Sequence, residues 1–321
     1  MCTAISFLTQ DHYFGRNLDL EFSYQEAVTI TPRGFPFHFR KADSADRHYA
    51  LIGMATVSEN YPLYYDAVNE KGLAMAGLNF PGNAHYDDNT EDAVAPFELI
   101  PWVLRQCETA EEAVELLKNT KIGAIPFSAA FSLTPLHWMI ADKTQSFAIE
   151  PLKTGLQITD DPFGVLTNSP PFEYHLHRII DHLGISDEPP ENRFAPAIPL
   201  SPYSRGMGAI GLPGDLSSGS RFIRAAFTKL HSVKPKDESL SVNQFFHILG
   251  SVCQQEGCVK VGERYEKTVY SSCCNTNKGI YYYTTYENSQ INAVYLHRED
   301  LDGSALIQYP IDRRPRIHEI N

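Results

Sequence analysis

Short runs in which apolar and polar residues alternate dominate the first third of the chain and predict β-strands. The predicted strands are residues 2–8, 27–31, 49–57, 63–68 and 73–78. The last two flank a polar turn, Asn69 to Gly72, which is typical of an antiparallel hairpin. A further short strand, residues 14–19, has the right length to return beside the first one.

Helical spacing then replaces alternation in two blocks. The first block predicts helices over 96–107 and 110–118, where Thr109 serves as N-cap and Glu112 as its capping-box partner. The second block predicts helices over 172–182, 220–232 and 241–253. Strands return between and after these blocks, at 136–141, 145–150, 156–166, 267–272, 279–285 and 292–295.

The order of these blocks is strand, helix, strand, helix, strand, with hairpins inside each strand block. A doubly wound parallel sheet requires strictly alternating strands and helices, so this order favours antiparallel sheets covered by helices. Two sheets packed face to face with helices on both outer sides would use every block. Periodicity by itself leaves that stacking open.

No linker or internal repeat divides the sequence, so we expect a single domain over 1–321. The proline-rich segment 187–205 is the nearest candidate for a boundary. Its prolines exclude helix and strand interiors, and globular patterns continue on both sides. We therefore interpret it as a long ordered loop, of a length that is usually functional.

Composition and charge narrow the possible locations and partners. The chain has 27 Lys and Arg against 39 Asp and Glu, a net charge of -12, which argues against binding to nucleic acid or an anionic membrane surface. The N-terminus lacks a secretory signal, and no apolar run approaches 18 residues, so we expect a cytoplasmic protein without membrane insertion. Six cysteines are too few for a disulfide scaffold.

Cys2 is the strongest candidate nucleophile because of its position. Removal of Met1 would leave a residue that carries a thiol and an α-amine together, so the amine can accept the thiol proton near neutral pH. In the predicted hairpin, Arg16 would approach the thiol and Asp19 the amine. The alternatives are a chance cysteine at a terminus and a surface ion pair between Arg16 and Asp19.

Five motifs spread over the chain resemble the choloylglycine hydrolase family, and most closely its branch that hydrolyses conjugated bile acids. They are Met1-Cys2-Thr3, Phe14-Gly15-Arg16-Asn17-Leu18-Asp19, Gly77-Leu78-Asn79-Phe80-Pro81, Leu166-Thr167-Asn168-Ser169-Pro170, and Gly214-Asp215 followed by Ser220-Arg221-Phe222. The resemblance implies an N-terminal nucleophile hydrolase: an α+β fold that forms a four-layer αββα sandwich of two antiparallel sheets. It also implies a homo-oligomer, a tetramer by analogy, and no cofactor.

The resemblance also implies a role for each matching residue. Cys2 would attack the amide carbonyl, Asp19 would hold its amine and Arg16 would support the thiolate. Asn79 and Asn168 would donate to the oxyanion, each such donor typically contributing ~3 to 4 kcal/mol, while Arg221 would add positive charge. Without the family pattern, both asparagines would be interpreted as turn residues.

The implied substrate is a bile acid joined to glycine or taurine by an amide bond. We expect its sterol body in an apolar pocket lined from residues 54–65 and 127–136. Arg205 in Ser204-Arg205-Gly206 is a candidate substrate-binding residue, because a guanidinium fits a planar carboxylate better than a tetrahedral sulfonate. The triplet resembles that of glycine-preferring relatives.

Two other functions remain open at this stage. The same fold and nucleophile would serve a penicillin V acylase or another N-acyl amidase, although Asn79 favours the bile acid branch, since penicillin V acylases often have Tyr there. From a different class, the chain would be a non-catalytic amphiphile-binding module, stapled by zinc through Cys253, Cys258, Cys273 and Cys274. Their spacing is poor for a tetrahedral ion, so we expect no metal.

Overall fold

A computed structural model describes residues 1–42, 44 and 47–321. The described residues form fifteen strands: β1 Cys2–Leu8, β2 His12–Leu20, β3 Ala27–Thr31, β4 Leu51–Ser58, β5 Tyr61–Asn69, β6 Ala74–Asn79, β7 Leu136–Ala141, β8 Ser146–Leu152, β9 Gly155–Asp160, β10 Val165–Leu166, β11 Val259–Val261, β12 Arg264–Asn275, β13 Ile280–Thr285, β14 Asn292–Tyr295 and β15 Ile307–Pro310. They also form five helices: α1 Leu99–Leu104, α2 Ala110–Lys118, α3 Phe172–Arg178, α4 Ser218–His231 and α5 Glu238–Gly250.

The strands build two antiparallel sheets. The first sheet has the order β10-β1-β2-β12-β13-β14, with β11 paired to β12. The second sheet has the order β15-β3-β4-β5-β6-β7-β8-β9. The N-terminal strand β1 lies inside the first sheet, where it pairs with β2 on one side and with the short edge strand β10 on the other.

Four layers result from the way these sheets bury their apolar faces. One core contains Ile52 and Val68 of the second sheet and Phe14 of the first, and continues through Ile5 to α4 and α5 on the other side of the first sheet. Another core packs α1 and α2 on the outer face of the second sheet, around Trp138. The arrangement is an αββα sandwich, and it confirms the predicted α+β fold class.

Most predicted elements are present. Residues 2–8, 27–31, 110–118, 136–141 and 292–295 coincide with elements of the structure, and residues 14–19 lie within β2 beside β1. The Thr109 hydroxyl accepts the Glu112 amide at 3.2 Å, as an N-cap should. The carboxylate of Glu112 accepts from the Glu108 amide instead of the Thr109 amide, so the reciprocal half of the predicted capping box is shifted by one residue.

One predicted strand, residues 156–166, is wrong as a single element. It divides into β9, at the edge of the second sheet, and β10, at the edge of the first. The chain turns between them because the Asp161 carboxylate accepts from the amides of Phe163 and Val165. This turn is what carries the chain from one sheet to the other just before Asn168.

Candidate active site

Cys2 opens β1 and is almost completely buried, paired with Leu18 on β2. Met1 precedes it, and the Met1 ammonium contacts the Glu266 carboxylate and donates to the Asp19 carbonyl at 2.8 Å. Cys2 is therefore held within the hairpin of β1 and β2.

Arg16 lies on β2, near the cysteine, and its side chain is completely buried. Its Nη1 donates to the backbone oxygens of Tyr65, at 3.0 Å, and Gly77. Its Nη2 is without a hydrogen-bond partner among the described residues. Burial tends to lower the pKa of Arg16, but the surrounding acidic groups, led by Cys2, raise it above its usual range.

Asn168 follows β10 and joins several parts of the site. Its Oδ1 accepts from the Cys2 backbone nitrogen at 2.8 Å and from Arg221 Nη2 at 2.7 Å. Its Nδ2 donates to the Asn79 backbone oxygen at 2.7 Å. One amide side chain thus ties the nucleophile, a guanidinium and the end of β6 together.

Arg221 reaches this cluster from α4 and is also completely buried. Besides Asn168, its Nη1 donates to the Cys2 carbonyl and to Thr3 Oγ1, the latter at 2.7 Å. Burial lowers its pKa, opposed by the negative charges of Asp19 and Cys2. It is a positive charge fixed directly behind the first peptide of β1.

Asp19 ends the same stretch of β2 that contains Arg16. Its Oδ1 accepts from Thr268 Oγ1 at 2.7 Å, and its Oδ2 is without a hydrogen-bond partner among the described residues. Burial raises the pKa of Asp19, against the opposing charge of Arg221 and of the chain's terminal ammonium. A carboxylate oxygen is thus left for a cationic group near the start of the chain.

An apolar cavity of about 360 Å³ opens above Cys2, Arg16 and Asn79. Its other lining residues are Leu18, Leu20, Tyr24, Leu63, Tyr64, Tyr65, Gly77, Pro96, Phe97, Ile125, Pro126, Phe127, Ala130, Phe131, Ser132, Leu133, Thr134 and Leu136. The segment 127–136 lines the cavity as expected, and 54–65 contributes its last three residues. Met54 itself is buried between the sheets.

The structure brings the six predicted catalytic residues into one place. Cys2, Arg16 and Asn79 lie at the floor of the cavity, while Asn168 and Arg221 bind Cys2 from behind and Asp19 lies beside the chain start. Arg205 is exposed, in the loop before the short turn Met207–Ala209, and is not among the described side chains that line the cavity. Its role in substrate binding stays a prediction.

Several supporting residues carry no recognisable motif. His137 Nε2 donates to the Thr167 carbonyl at 3.0 Å, and its Nδ1 lies 3.0 Å from the Glu150 carboxylate. The same carboxylate accepts the amide of Phe172, and His175 Nε2 donates to the Asn168 carbonyl at 3.0 Å. These buried groups hold the segment that contains Asn168, and the only sequence signal is their polarity at buried positions of two strands and of α3.

The six cysteines are all free thiols, and Cys273 and Cys274 are buried in β12. In residues 1–42, 44 and 47–321, no group of three or more His, Cys, Asp or Glu side chains is arranged to hold a metal ion. None of the helices that the structure describes combines the length and apolar character needed to cross a bilayer.

Comparison with known proteins identifies close relatives. The profile of the linear amide C–N hydrolases, choloylglycine hydrolase family, matches residues 2–309. The chain is 52% identical to a bile salt hydrolase/transferase of Lactiplantibacillus plantarum and 38% identical to one of Clostridium perfringens, with 100% of each chain covered in both cases. Its structure is similar to that of a conjugated bile acid hydrolase mutant from Clostridium perfringens, with a TM-score of 0.92, 37% identity and 100% coverage of both chains. A penicillin V acylase from Agrobacterium tumefaciens shares the fold at a TM-score of 0.75 and 20% identity, covering 96% of this chain and 90% of that one.

Proposed function

The chain belongs to the choloylglycine hydrolase family and is an amide hydrolase, and from that membership we propose that it cleaves the amide bond of bile acids conjugated to glycine or taurine. The observation that carries this proposal is a buried cysteine at the floor of an apolar cavity, next to an arginine and an asparagine. An apolar cavity suits a sterol body, and the polar floor suits the amide bond.

The first chemical step would be attack by Cys2 Sγ on the amide carbonyl carbon. With Met1 removed, the Cys2 nitrogen becomes an α-amine that accepts the thiol proton. Asn168 Oδ1 already accepts from that nitrogen, and the unpartnered Asp19 Oδ2 is near enough to the chain start to hold an ammonium. Together they would orient the amine toward the thiol.

The developing oxyanion needs donors aimed at it. Asn79 lines the cavity floor, and Asn168 uses one of its two Nδ2 protons on the Asn79 carbonyl, which leaves the other free. We assign the oxyanion site to these two residues, and to Arg16 and Arg221 the positive charge that favours thiolate and oxyanion.

Collapse of the tetrahedral intermediate breaks the carbon–nitrogen bond, and the ammonium of Cys2 passes its proton to the departing glycine or taurine nitrogen. The acyl group is then a thioester on Sγ. Water attacks that thioester, with the amine again taking a proton, and releases the free bile acid and the thiol. An amine in place of water would give acyl transfer, an activity that the name of the Lactiplantibacillus relative includes.

Substitution of the nucleophile tests the proposal directly. Cys2→Ala and Cys2→Ser should lower glycocholate hydrolysis by at least about 10³-fold, while the melting temperature is unchanged, because alanine has no nucleophile and a serine hydroxyl is a much weaker one than a thiolate. Cys258→Ala, which alters an exposed thiol, is the matched control. If wild type and Cys2→Ala bound glycocholate equally well and showed the same weak hydrolysis, the chain would instead be an amphiphile-binding module in which Cys2 has no catalytic role.

The state of the N-terminus and the choice of acyl group need separate measurements. Mass spectrometry of the active protein should give a chain that begins at Cys2, since a retained Met1 leaves no free Cys2 amine.

Turnover of glycocholate should exceed that of penicillin V measured side by side. The reverse order would indicate the acylase alternative.

Arg205 is the candidate residue for the preference between glycine and taurine conjugates. We propose that its guanidinium pairs with the glycine carboxylate and thereby favours glycine over taurine conjugates. Arg205→Ala should then lower the ratio of glycocholate to taurocholate turnover. An unchanged ratio would remove Arg205 from the binding site.

We also propose a cytoplasmic homo-oligomer, a tetramer by analogy. The oligomer is supported by a set of exposed apolar side chains on one long loop: Leu183, Phe194, Ile198, Leu200, Tyr203 and Ile210. Apolar groups gathered in this way usually mark a contact surface. Light scattering should give a mass near four chains for the wild type, and Phe194→Ser with Tyr203→Ser should lower it; cell fractionation tests the compartment.

A further inference from the structure

A second buried carboxylate, Asp66 on β5, lies close to Arg16 and is not among the described residues that line the cavity. It is 2% exposed and is surrounded by hydroxyl groups from the first sheet. Tyr270 Oη donates to its Oδ1 at 3.0 Å, Ser272 Oγ donates to its Oδ2 at 2.8 Å, and Tyr281 Oη lies within 3.0 Å of both oxygens. Two tyrosines and a serine thus donate to one side chain that has no role in the proposed chemistry.

Asp66 is linked to Arg16 by bonds as well as by charge. The Arg16 amide donates to Ser272 Oγ at 3.1 Å, and that hydroxyl donates onward to Asp66. Arg16 Nη1 is bonded to the carbonyl of Tyr65, the residue before Asp66. The negative charge of Asp66 is among those that raise the pKa of Arg16.

Asp66 can balance this cation when it is ionised. Burial raises its pKa, but Arg16 and the three hydroxyl donors oppose that effect. A fully buried guanidinium without a counter-ion is costly, and no other carboxylate among the described residues is bonded to the groups that hold Arg16 from behind.

We infer that Asp66 is a positioning residue for the reaction: it fixes the Arg16 guanidinium beneath the Cys2 thiol and cancels part of its charge. This inference rests on the proposed function, in which Cys2 is the nucleophile and Arg16 favours its thiolate. Partial cancellation leaves a thiolate that forms readily but is not held so strongly that its attack is slowed.

Titratable groups on several strands and on α4 lie close to the thiol or to the residues that surround it. They are Arg16 and Asp19 on β2, Arg221 on α4, Glu266 and Tyr270 on β12, Asp66 on β5, and the chain's terminal amine; Cys274 on β12 also faces Asp66. Loss of the Asp66 charge leaves the two arginines less compensated. The thiolate should therefore become more populated while Arg16 becomes less well placed.

The test compares alkylation and hydrolysis in the processed enzyme. In Asp66→Asn, iodoacetamide should modify Cys2 about threefold faster than in the wild type at pH 6.5, and the midpoint of the pH dependence should move to lower pH. Peptide mass spectrometry follows the modification. In the same variant kcat for glycocholate should fall about tenfold with KM little changed. A merely structural loss that loosened the fold would expose the buried thiol and speed alkylation at every pH, without moving the midpoint of its pH dependence.

Two further variants separate the possible failures. Arg16→Leu should slow alkylation; if it does not, the proposed role of Arg16 fails, whatever Asp66 does. Glu70→Gln removes a mostly buried carboxylate that pairs with Arg33 and does not line the cavity, and it should leave the alkylation rate of Cys2 unchanged. If Arg16→Leu behaves as expected while Asp66→Asn alkylates at or below the wild-type rate, the inference about Asp66 alone is wrong.

Tyr281→Phe keeps the test available if Asp66→Asn does not fold. It preserves volume but removes a hydroxyl donor to both Asp66 oxygens, which makes the carboxylate easier to neutralise. Alkylation should accelerate by less than in Asp66→Asn but in the same direction. Tyr283→Phe, on the same strand with its hydroxyl bonded to the Asp312 amide, is the matched control and should match the wild type. Equal rates in Tyr281→Phe and Tyr283→Phe would overturn the inference.

Discussion

The side-chain oxygen of Asn168 lies 2.8 Å from the backbone nitrogen of Cys2, although 166 positions separate the two residues in the chain. The contact fixes the nitrogen that is the base in the proposed mechanism, in which Met1 is removed. It also places Arg221, bonded to the same oxygen, next to the nucleophile. The position of Cys2 thus depends on a residue that lies two positions after the short strand β10.

Asn168→Ala should therefore lower kcat/KM for glycocholate by about 10²-fold. Most of the loss should be in kcat, because Asn168 contacts the Cys2 nitrogen, Asn79 and Arg221, whereas other residues form the apolar wall that would hold the sterol. Steady-state kinetics check this, with Asn83→Ala on the loop after β6 as the control. A rise in KM with kcat unchanged would contradict a role in orienting the amine.

Phe131 lies in the cavity wall, half-buried and in contact with Phe127. Phe131→Ala should raise KM for bile acid conjugates by roughly 10-fold, since about 1.5 to 3 kcal/mol of apolar burial is available from such a side chain. The effect on kcat should be small. Leu240→Ala, an exposed position on α5, is the comparison and should leave both constants unchanged.

The hairpin that contains the nucleophile could be predicted because its signals are local. Alternation over residues 2–8 and the short return through Arg16 to Asp19 describe two paired strands without reference to the rest of the chain. The four other predicted site residues were named from motifs of the resembling family. Only the fold could show that Asn168 bonds to Cys2 through its oxygen.

The cavity wall was predicted only in part, because it is assembled from distant segments. Phe97 begins the first helical block and Ile125 follows an irregular stretch, and neither position differs in sequence from an ordinary core residue. The division of 156–166 had a signal that the apolar pattern obscured. Asp161 to Gly164 is an Asp-Pro-Phe-Gly turn, and the turn chemistry outweighs the strand pattern there.

Gly15 permits the close approach of β2 and β12. A Cβ at this position would lie 2.0 Å from the Ser272 carbonyl oxygen and 2.6 Å from its carbon, both backbone atoms that cannot move aside. Gly15→Ala should thus cost about 3 kcal/mol or more of stability, measured by chemical denaturation. Gly184→Ala, where the added Cβ meets open space, should stay within about 0.5 kcal/mol of the wild type.

His12 makes the fold sensitive to acid at a point away from the candidate site. Its ring is buried, with Nε2 2.8 Å from Ser6 Oγ and Nδ1 2.9 Å from Thr276 Oγ1. Burial lowers the pKa of His12 from its ordinary 6.5 to about 4; Asp142 opposes the shift and Lys229 adds to it. Both hydroxyl contacts suit a neutral ring.

Between these two pKa values of His12, the unfolded chain binds a proton that the folded protein does not. The free energy of unfolding contributed by this residue is therefore fully present above pH 6.5 and decreases as the pH falls toward 4, by about 2 to 3 kcal/mol at pH 4.5. Chemical denaturation at pH 7.5 and pH 4.5 measures this loss. His12→Gln, which does not titrate, should lose correspondingly less stability between the two pH values than the wild type does, even though it is less stable at pH 7.5. The exposed His177→Gln should match the wild type at both, and an equal acid loss in His12→Gln and the wild type would show that other groups govern the response.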